Sequence, residues 1–263
     1  MQNRNQNKMP VLFLGHGSPM NAIENNDFTQ TMKKLGEDLP RPQSILMVSA
    51  HWMTKGTYVT GMRQPKTIHD FYGFPRALFD VQYPAPGYPE LAVAIRHQVD
   101  DPVVHIDNQE WGLDHGTWSV LRHLYSEAQI PVVQLSLDMS KPAAYHFALG
   151  QKLQKLREQG VMIMGSGNIV HNLQEISWQT DAPAYDWALE FDQIAKNKLI
   201  QRDFKYLMND FHATESGKLS VPTMDHYLPL MYVLGAATEK DEMSFPYEGM
   251  QNASISMRAV QFG

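Results

Sequence analysis

The sequence predicts a single α/β domain with a mostly parallel central sheet flanked by helices and a metal site at the C-terminal ends of the strands. Three observations carry the prediction. Short apolar runs alternate with stretches of helical periodicity. Four of those runs are nearly continuous in apolar residues, as strands covered on both faces must be. No repeat, linker or shift in composition divides the 263 residues, and 43% hydrophobic against 19% charged residues is enough for a sizeable core.

Taken in order, the first nine residues (MQNRNQNKM) are polar and read as a flexible tail, ahead of one catalytic domain over 10–263. The buried strands are expected at Val11–Leu14, Ser44–Ala50, Val132–Leu137 and Val161–Gly165. Thr57–Met62 and Ala253–Val260 alternate more and are expected toward a sheet edge. Helical patterns cover Asp27–Leu39, Pro89–Val99, Thr117–Glu127, Pro142–Glu158, Asn168–Ile176, Pro183–Arg202 and Pro222–Ala236. Within the fourth, Tyr145, Leu149, Leu153 and Leu156 form one apolar stripe, with Gly160 as a stop signal. The segment from Gln64 to Pro89 is rich in proline and aromatic residues, which suits a lid, a wall of an aromatic pocket or a self-packed loop.

Composition excludes several classes. A net charge of −6 and the absence of a Lys/Arg stripe argue against a nucleic-acid partner. The N-terminus lacks the apolar core of a signal peptide, and no apolar run approaches about 18 residues, so a cytoplasmic protein with no membrane partner is expected. With no cysteine, disulfides, thiolate sites and cysteine nucleophiles are ruled out. A metal must then be bound by His, Asp or Glu, which suits zinc or non-haem iron. The oligomeric state is left open.

Eleven histidines are present, and position separates them. His16 follows Val-Leu-Phe-Leu-Gly, His51 follows Ile-Leu-Met-Val-Ser-Ala, and His171 follows the Val161–Gly165 run and a Ser-Gly-Asn turn. All three are expected at the strand ends where open α/β sheets bind ligands. Neighbouring strands are about 4.8 Å apart, so such side chains can converge on one ion. Gly-His-Gly allows a sharp exit from the first strand. Two further histidines stand out by context: His115, in WGLDHGTW before a helix, and His226, in DHYLPL near the start of the last helical pattern. His69, Phe71 and Trp52 are the candidate substrate contacts. Walker A, GxGxxG, HExxH and G-x-S-x-G motifs are all absent from the sequence.

Eight ordered segments (LFLGHGSPMN, VSAHW, TIHDFYGFP, YPAPG, WGLDHGTW, PVVQLSLD, SGNIVHNL and HYLPLMYVLGA) resemble the class III extradiol ring-cleavage dioxygenases. More narrowly they resemble the 4,5-DOPA extradiol branch of the LigB-like group, from about residue 9 to 263. The resemblance implies one divalent ion per chain, Zn(II) or Fe(II), with Fe(II) required if O2 is activated. It places His16, His51, His171 and His226 at metal-associated positions and His115 at an acid–base position. Asp114 or a backbone carbonyl is the expected partner that would fix the His115 tautomer. Better-known relatives bind iron through two histidines and a carboxylate, whereas this chain has His226 at the late position. His171 is therefore either a fourth ligand or a proton shuttle. The implied partners are a small catechol and O2. The rival readings are a zinc-dependent hydrolase of a C–N or ester bond and a non-catalytic metal-binding protein.

Overall fold

The computed structural model describes residues 8–263. Its strands are β1 (Val11–Gly15), β2 (Ser44–Thr54), β3 (Thr57–Thr60), β4 (Val104–Asp107), β5 (Val132–Asp138), β6 (Val161–Gly167), β7 (Met243–Ser244), β8 (Met250–Gln251), β9 (Ile255–Ser256) and β10 (Val260–Phe262). The main sheet has the order β4-β3-β5-β2-β6-β1-β10-β7. Its centre, β5-β2-β6-β1, is parallel, and β3 and β10 flank it antiparallel. The helices are α1 (Asp27–Asp38), α2 (Arg76–Phe79), α3 (Pro89–Val99), α4 (His115–Leu124), α5 (Ala143–Leu153), α6 (Asp186–Ile200), α7 (Phe204–Asn209), α8 (Glu215–Ser220) and α9 (Leu228–Ala236).

The continuous apolar strands follow from the sheet's being covered on both faces. Along β1, Val11 and Phe13 join one core while Leu12 and Leu14 join the other, and β2 and β6 split the same way. The first core packs against α3, α5, α6 and α9, the second against α1 and α4. All nine residues of α9 are buried, so it carries no polar face. Among the described residues, no helix is long and apolar enough to cross a membrane.

All four expected buried strands are present, and each extends past its predicted C-terminus. The added residues include Gly15, His51, Asp138 and Ser166, so the apolar run stops before backbone pairing does. Thr57–Thr60 lies inside the sheet because β4, whose Val-His-Ile-Asp carries too little apolar signal, forms the edge beyond it. Ala253–Val260 is two short strands rather than one edge strand: β9 pairs with β8 in a separate ribbon, while β10 joins the main sheet. Residues 1–7 of the expected tail lie outside the described residues. Met9 is buried with its N–H on the Arg157 carbonyl, and Lys8 pairs with Asp241.

The helix expected over Asn168–Ile176 is not formed. Its backbone finds tertiary partners instead of i−4 carbonyls. Asn168 N–H donates to His226 O, His171 N–H to Ser220 O, and Asn172 N–H to Ser254 O. His171 thus projects from an extended segment bridged to Ile255, with only a 3-10 turn at Leu173–Glu175.

Candidate metal centre

Five imidazoles meet over the carboxyl edge of the parallel strands. His16 is the first residue past β1, with Gly17 turning the chain at φ 60°. His51 lies within β2, which runs on to Thr54, and not beyond its end as expected. It follows the last β6 pairing, Ser49 with Ser166, in the stretch where the register against β5 shifts. Such a bulge re-aims side chains. His115 is the first residue of α4, two positions earlier than the predicted helix. His226 sits in the turn before α9. A Cβ at Gly167 would collide with the His226 carbonyl oxygen, so glycine at the end of β6 lets that turn approach.

The rings form a tight cage. His16, His51 and His115 each offer a ligand nitrogen, all within 4.8 Å of one another. His226 stands beside the same pair, its centroid 5.2 Å from that of His16 and 5.0 Å from that of His51, against 5.1 Å between those two, although its nitrogens do not share the 4.8 Å spacing of the first three rings. Ring centres spaced this way leave room for an ion roughly 3 Å from each, the reach of a metal–nitrogen bond of about 2.1 Å, once a His226 nitrogen turns inward. His115 lies less symmetrically, 3.9 Å from His51 and 5.6 Å from His16. His171 stacks on His226.

Each ring's Nδ1, His171 aside, faces a polar partner. The Ser166 hydroxyl donates to Gly116 O, so its oxygen is left to accept from His16 Nδ1 at 3.0 Å. Asp70 Oδ2 is 2.9 Å from His115 Nδ1, an ion-pair distance at which the ring N–H is too poorly aimed for a hydrogen bond, and 3.5 Å from His51 Nδ1. His226 Nδ1 meets Asp225. Nδ1–H tautomers leave bare lone pairs on Nε2, and His16 Nε2 lies 3.1 Å from His51 Nε2. Two lone pairs pointed at one another repel, and a shared cation removes that repulsion. The donor set therefore fits a divalent ion.

Electrostatics support neutral rings. Burial first, and then the neighbouring histidines, hold His16 and His51 well below the ordinary histidine value. Burial also lowers His171, with His226 adding to the shift and Asp225 opposing it. Burial would raise Asp70, but its contacts with His115 outweigh that and keep the carboxyl below its usual range.

The candidate substrate contacts divide. Phe71 meets His115 edge-on at 5.5 Å and forms part of the wall. His69 turns into its own loop, with Nε2 2.9 Å from Val81 O and the ring against Trp118. Trp52 stacks on Trp111 and lines an open depression of about 440 Å³ whose lining includes none of the five histidines. Asp114 does not fix the His115 tautomer. It caps α4 by accepting from Thr117 N–H and takes the Ser49 hydroxyl at 2.6 Å, and its carboxyl is pushed up to about 6 by burial and the Asp70 charge. Asp70, Asp225 and Ser166 are the site residues missed in the sequence. Asp70 and Asp225 each adjoin a candidate histidine, which was the available signal.

A parallel sheet with a cage of imidazoles at its carboxyl rim defines an α/β protein fitted for a histidine-bound metal. Residues 10–262 match the model of the catalytic LigB subunit of aromatic ring-opening dioxygenase, and the chain belongs to that family. It is 50% identical over 258 residues to the Escherichia coli K12 protein named 4,5-DOPA dioxygenase extradiol, covering 97% of this chain and 95% of that one. It is 33% identical to the protein of the same name from Portulaca grandiflora, covering 95% and 94%. The crystal structure of an uncharacterized E. coli K12 protein superposes with a TM-score of 0.85 at 46% identity, covering 97% of this chain and all of that one. The chain is thus an aromatic ring-opening dioxygenase of the extradiol type.

Proposed function

We propose that this dioxygenase cleaves a small catechol of the L-DOPA type at the 4,5 position, inserting both atoms of O2, at a single divalent ion held by His16, His51 and His226. The observation that carries the metal reading is the facing pair of Nε2 atoms, 3.1 Å apart, on two rings whose Nδ1 atoms face Ser166 and Asp70. The names of the E. coli and plant relatives support the substrate class. A bound ion would supply Lewis acidity toward the two catechol oxygens, and Fe(II) the redox capacity that zinc lacks.

The chain's own residues then have defined tasks. His115, with Nδ1 turned to Asp70, presents Nε2 as the atom that takes a catechol proton and later returns one. Phe71, edge-on to His115, gives the substrate ring an apolar wall. His171, stacked on His226, is the second proton carrier. On this reading the reaction is cytoplasmic.

The test is to purify the protein anaerobically, load it with Fe(II), add L-DOPA, and follow oxygen uptake together with the yellow absorbance of the ring-opened semialdehyde. One O2 consumed per ring supports the proposal. Colour without oxygen uptake, or ester or amide hydrolysis with zinc alone, refutes it.

A further inference from the structure

Asp70 comes from the Pro/aromatic segment, and its carboxylate reaches two imidazoles at once. Oδ2 lies 2.9 Å from His115 Nδ1 and 3.5 Å from His51 Nδ1, while Oδ1 accepts the backbone N–H of His115 at 2.9 Å. The two rings it touches are neighbours, with centroids 3.9 Å apart. The segment that carries Asp70 is fixed just ahead of it, at Thr67 and Ile68. Ile68 N–H donates to Leu113 O at 2.7 Å, Thr67 bridges to Leu113, and the Trp118 indole donates to Ile68 O at 2.8 Å.

A neutral imidazole carries its proton on either nitrogen, and the partner of one nitrogen decides the state of the other. An ionised carboxylate can only accept. One placed between two Nδ1 atoms selects Nδ1–H in both rings and so bares both Nε2 atoms toward the cage. The other rings have partners of their own: Ser166 serves His16, and Asp225 serves His226.

We infer that Asp70 is a shared positioning residue, one carboxylate that sets the tautomer and orientation of both His51 and His115. Resting on the roles proposed above, it couples a residue that holds the ion to the residue that moves protons. The Gln64–Pro89 segment then contributes to the site chiefly by delivering this carboxylate, in addition to Phe71 as a wall.

The substitution Asp70→Asn tests the inference sharply. The amide oxygen of the variant side chain can keep the bond from the His115 backbone N–H, which turns the amide NH2 toward the two Nδ1 atoms. A donor there inverts the selection and puts the proton on Nε2 of both rings. Two readouts are needed. In the metal-free protein, 15N NMR of the imidazoles should show His51 and His115 both switching from Nδ1–H to Nε2–H, with His16 and His226 unchanged. Zinc affinity, by competition with a chromophoric chelator, should fall about 10- to 100-fold. Asp225→Asn is the control and should switch His226 alone. If Asp70→Asn fails to fold, Asp70→Ala is read the same way, with both rings losing their Nδ1–H preference. A switch confined to one ring, no switch, or unchanged zinc affinity overturns the shared role. Because neither readout uses catechol turnover, a failure of the dioxygenase assay leaves this result standing, and the NMR arm decides Asp70 even if the wild-type cage binds no zinc.

Discussion

His171 lies flat on His226, their ring centroids 3.5 Å apart and the planes 7° from parallel. A stacked pair shares one face, so two rings in this relation do not both aim an in-plane lone pair at one ion without one turning. His226 is the member within about one imidazole's reach of both His16 and His51. His171→Ala should therefore keep bound metal near one per chain while turnover falls about 10²- to 10⁴-fold, the usual weight of one proton-transfer group. Metal analysis beside initial rates checks it. Loss of the ion in this variant would make His171 a ligand.

The two triads that share His16 and His51 make opposite predictions. If His226 closes the site, His226→Ala loses the metal and His115→Ala retains it while losing turnover. The reverse pattern, with His115→Ala emptied and His226→Ala loaded, would assign the ion to the His115 triad. Elemental analysis of the two purified variants decides between them.

Gly167 ends β6 beneath the turn that carries His226, and an added Cβ would press on a backbone oxygen that no side-chain motion can relieve. Gly167→Ala is expected to cost about 1–3 kcal/mol of stability and to weaken metal binding through displacement of His226. Urea denaturation of the metal-free protein and a metal titration read the two effects separately. An unchanged midpoint would show that the turn can shift freely.

His146 is not one of the cage histidines: it is fully buried on α5 with Nδ1 3.1 Å from the Tyr232 hydroxyl and Nε2 without a partner. Burial pulls its pKa down to about 4. The unfolded chain, with a histidine near 6.5, binds that proton first as pH falls, so stability is lost from about pH 6.5 down toward 4. The contribution approaches about 1.4 kcal/mol per pH unit within that window. His146→Gln should flatten this part of the stability profile relative to wild type. Parallel slopes for the two proteins in urea melts at pH 6.5 and 5 would refute the assignment.

The buried pair of Arg157 and Asp241 fastens the C-terminal region to the start of β1, since Arg157 also donates to the carbonyls of Met9, Ala236 and Phe262. Asp241→Asn leaves a guanidinium buried without its counter-charge and should destabilise by about 3–5 kcal/mol. In the wild type, the depressed Asp241 carboxyl gives stability that is present above about pH 4 and lost as pH falls through its lower folded value. A thermal melt of the variant within a degree of wild type would contradict it.

Sequence alone determined the sheet and the rim on which the chemistry sits. Val11–Leu14, Ser44–Ala50, Val132–Leu137 and Val161–Gly165 announce strands buried on both faces because burial leaves a local record in side-chain polarity. His16 and His51 announce themselves because each directly follows such a run. The tertiary structure decided what polarity does not encode. It kept Asn168–Asn172 out of a helix because its backbone bonds go to Ser220, His226 and Ser254, and it brought His115 and His226 to the same cage from elements far apart in the chain. It also supplied Asp70 and Asp225 as the partners of the imidazole Nδ1 atoms. In the sequence a carboxylate beside a histidine looks like any surface pair. Its role comes from which nitrogen it faces, and that depends on contacts across the fold.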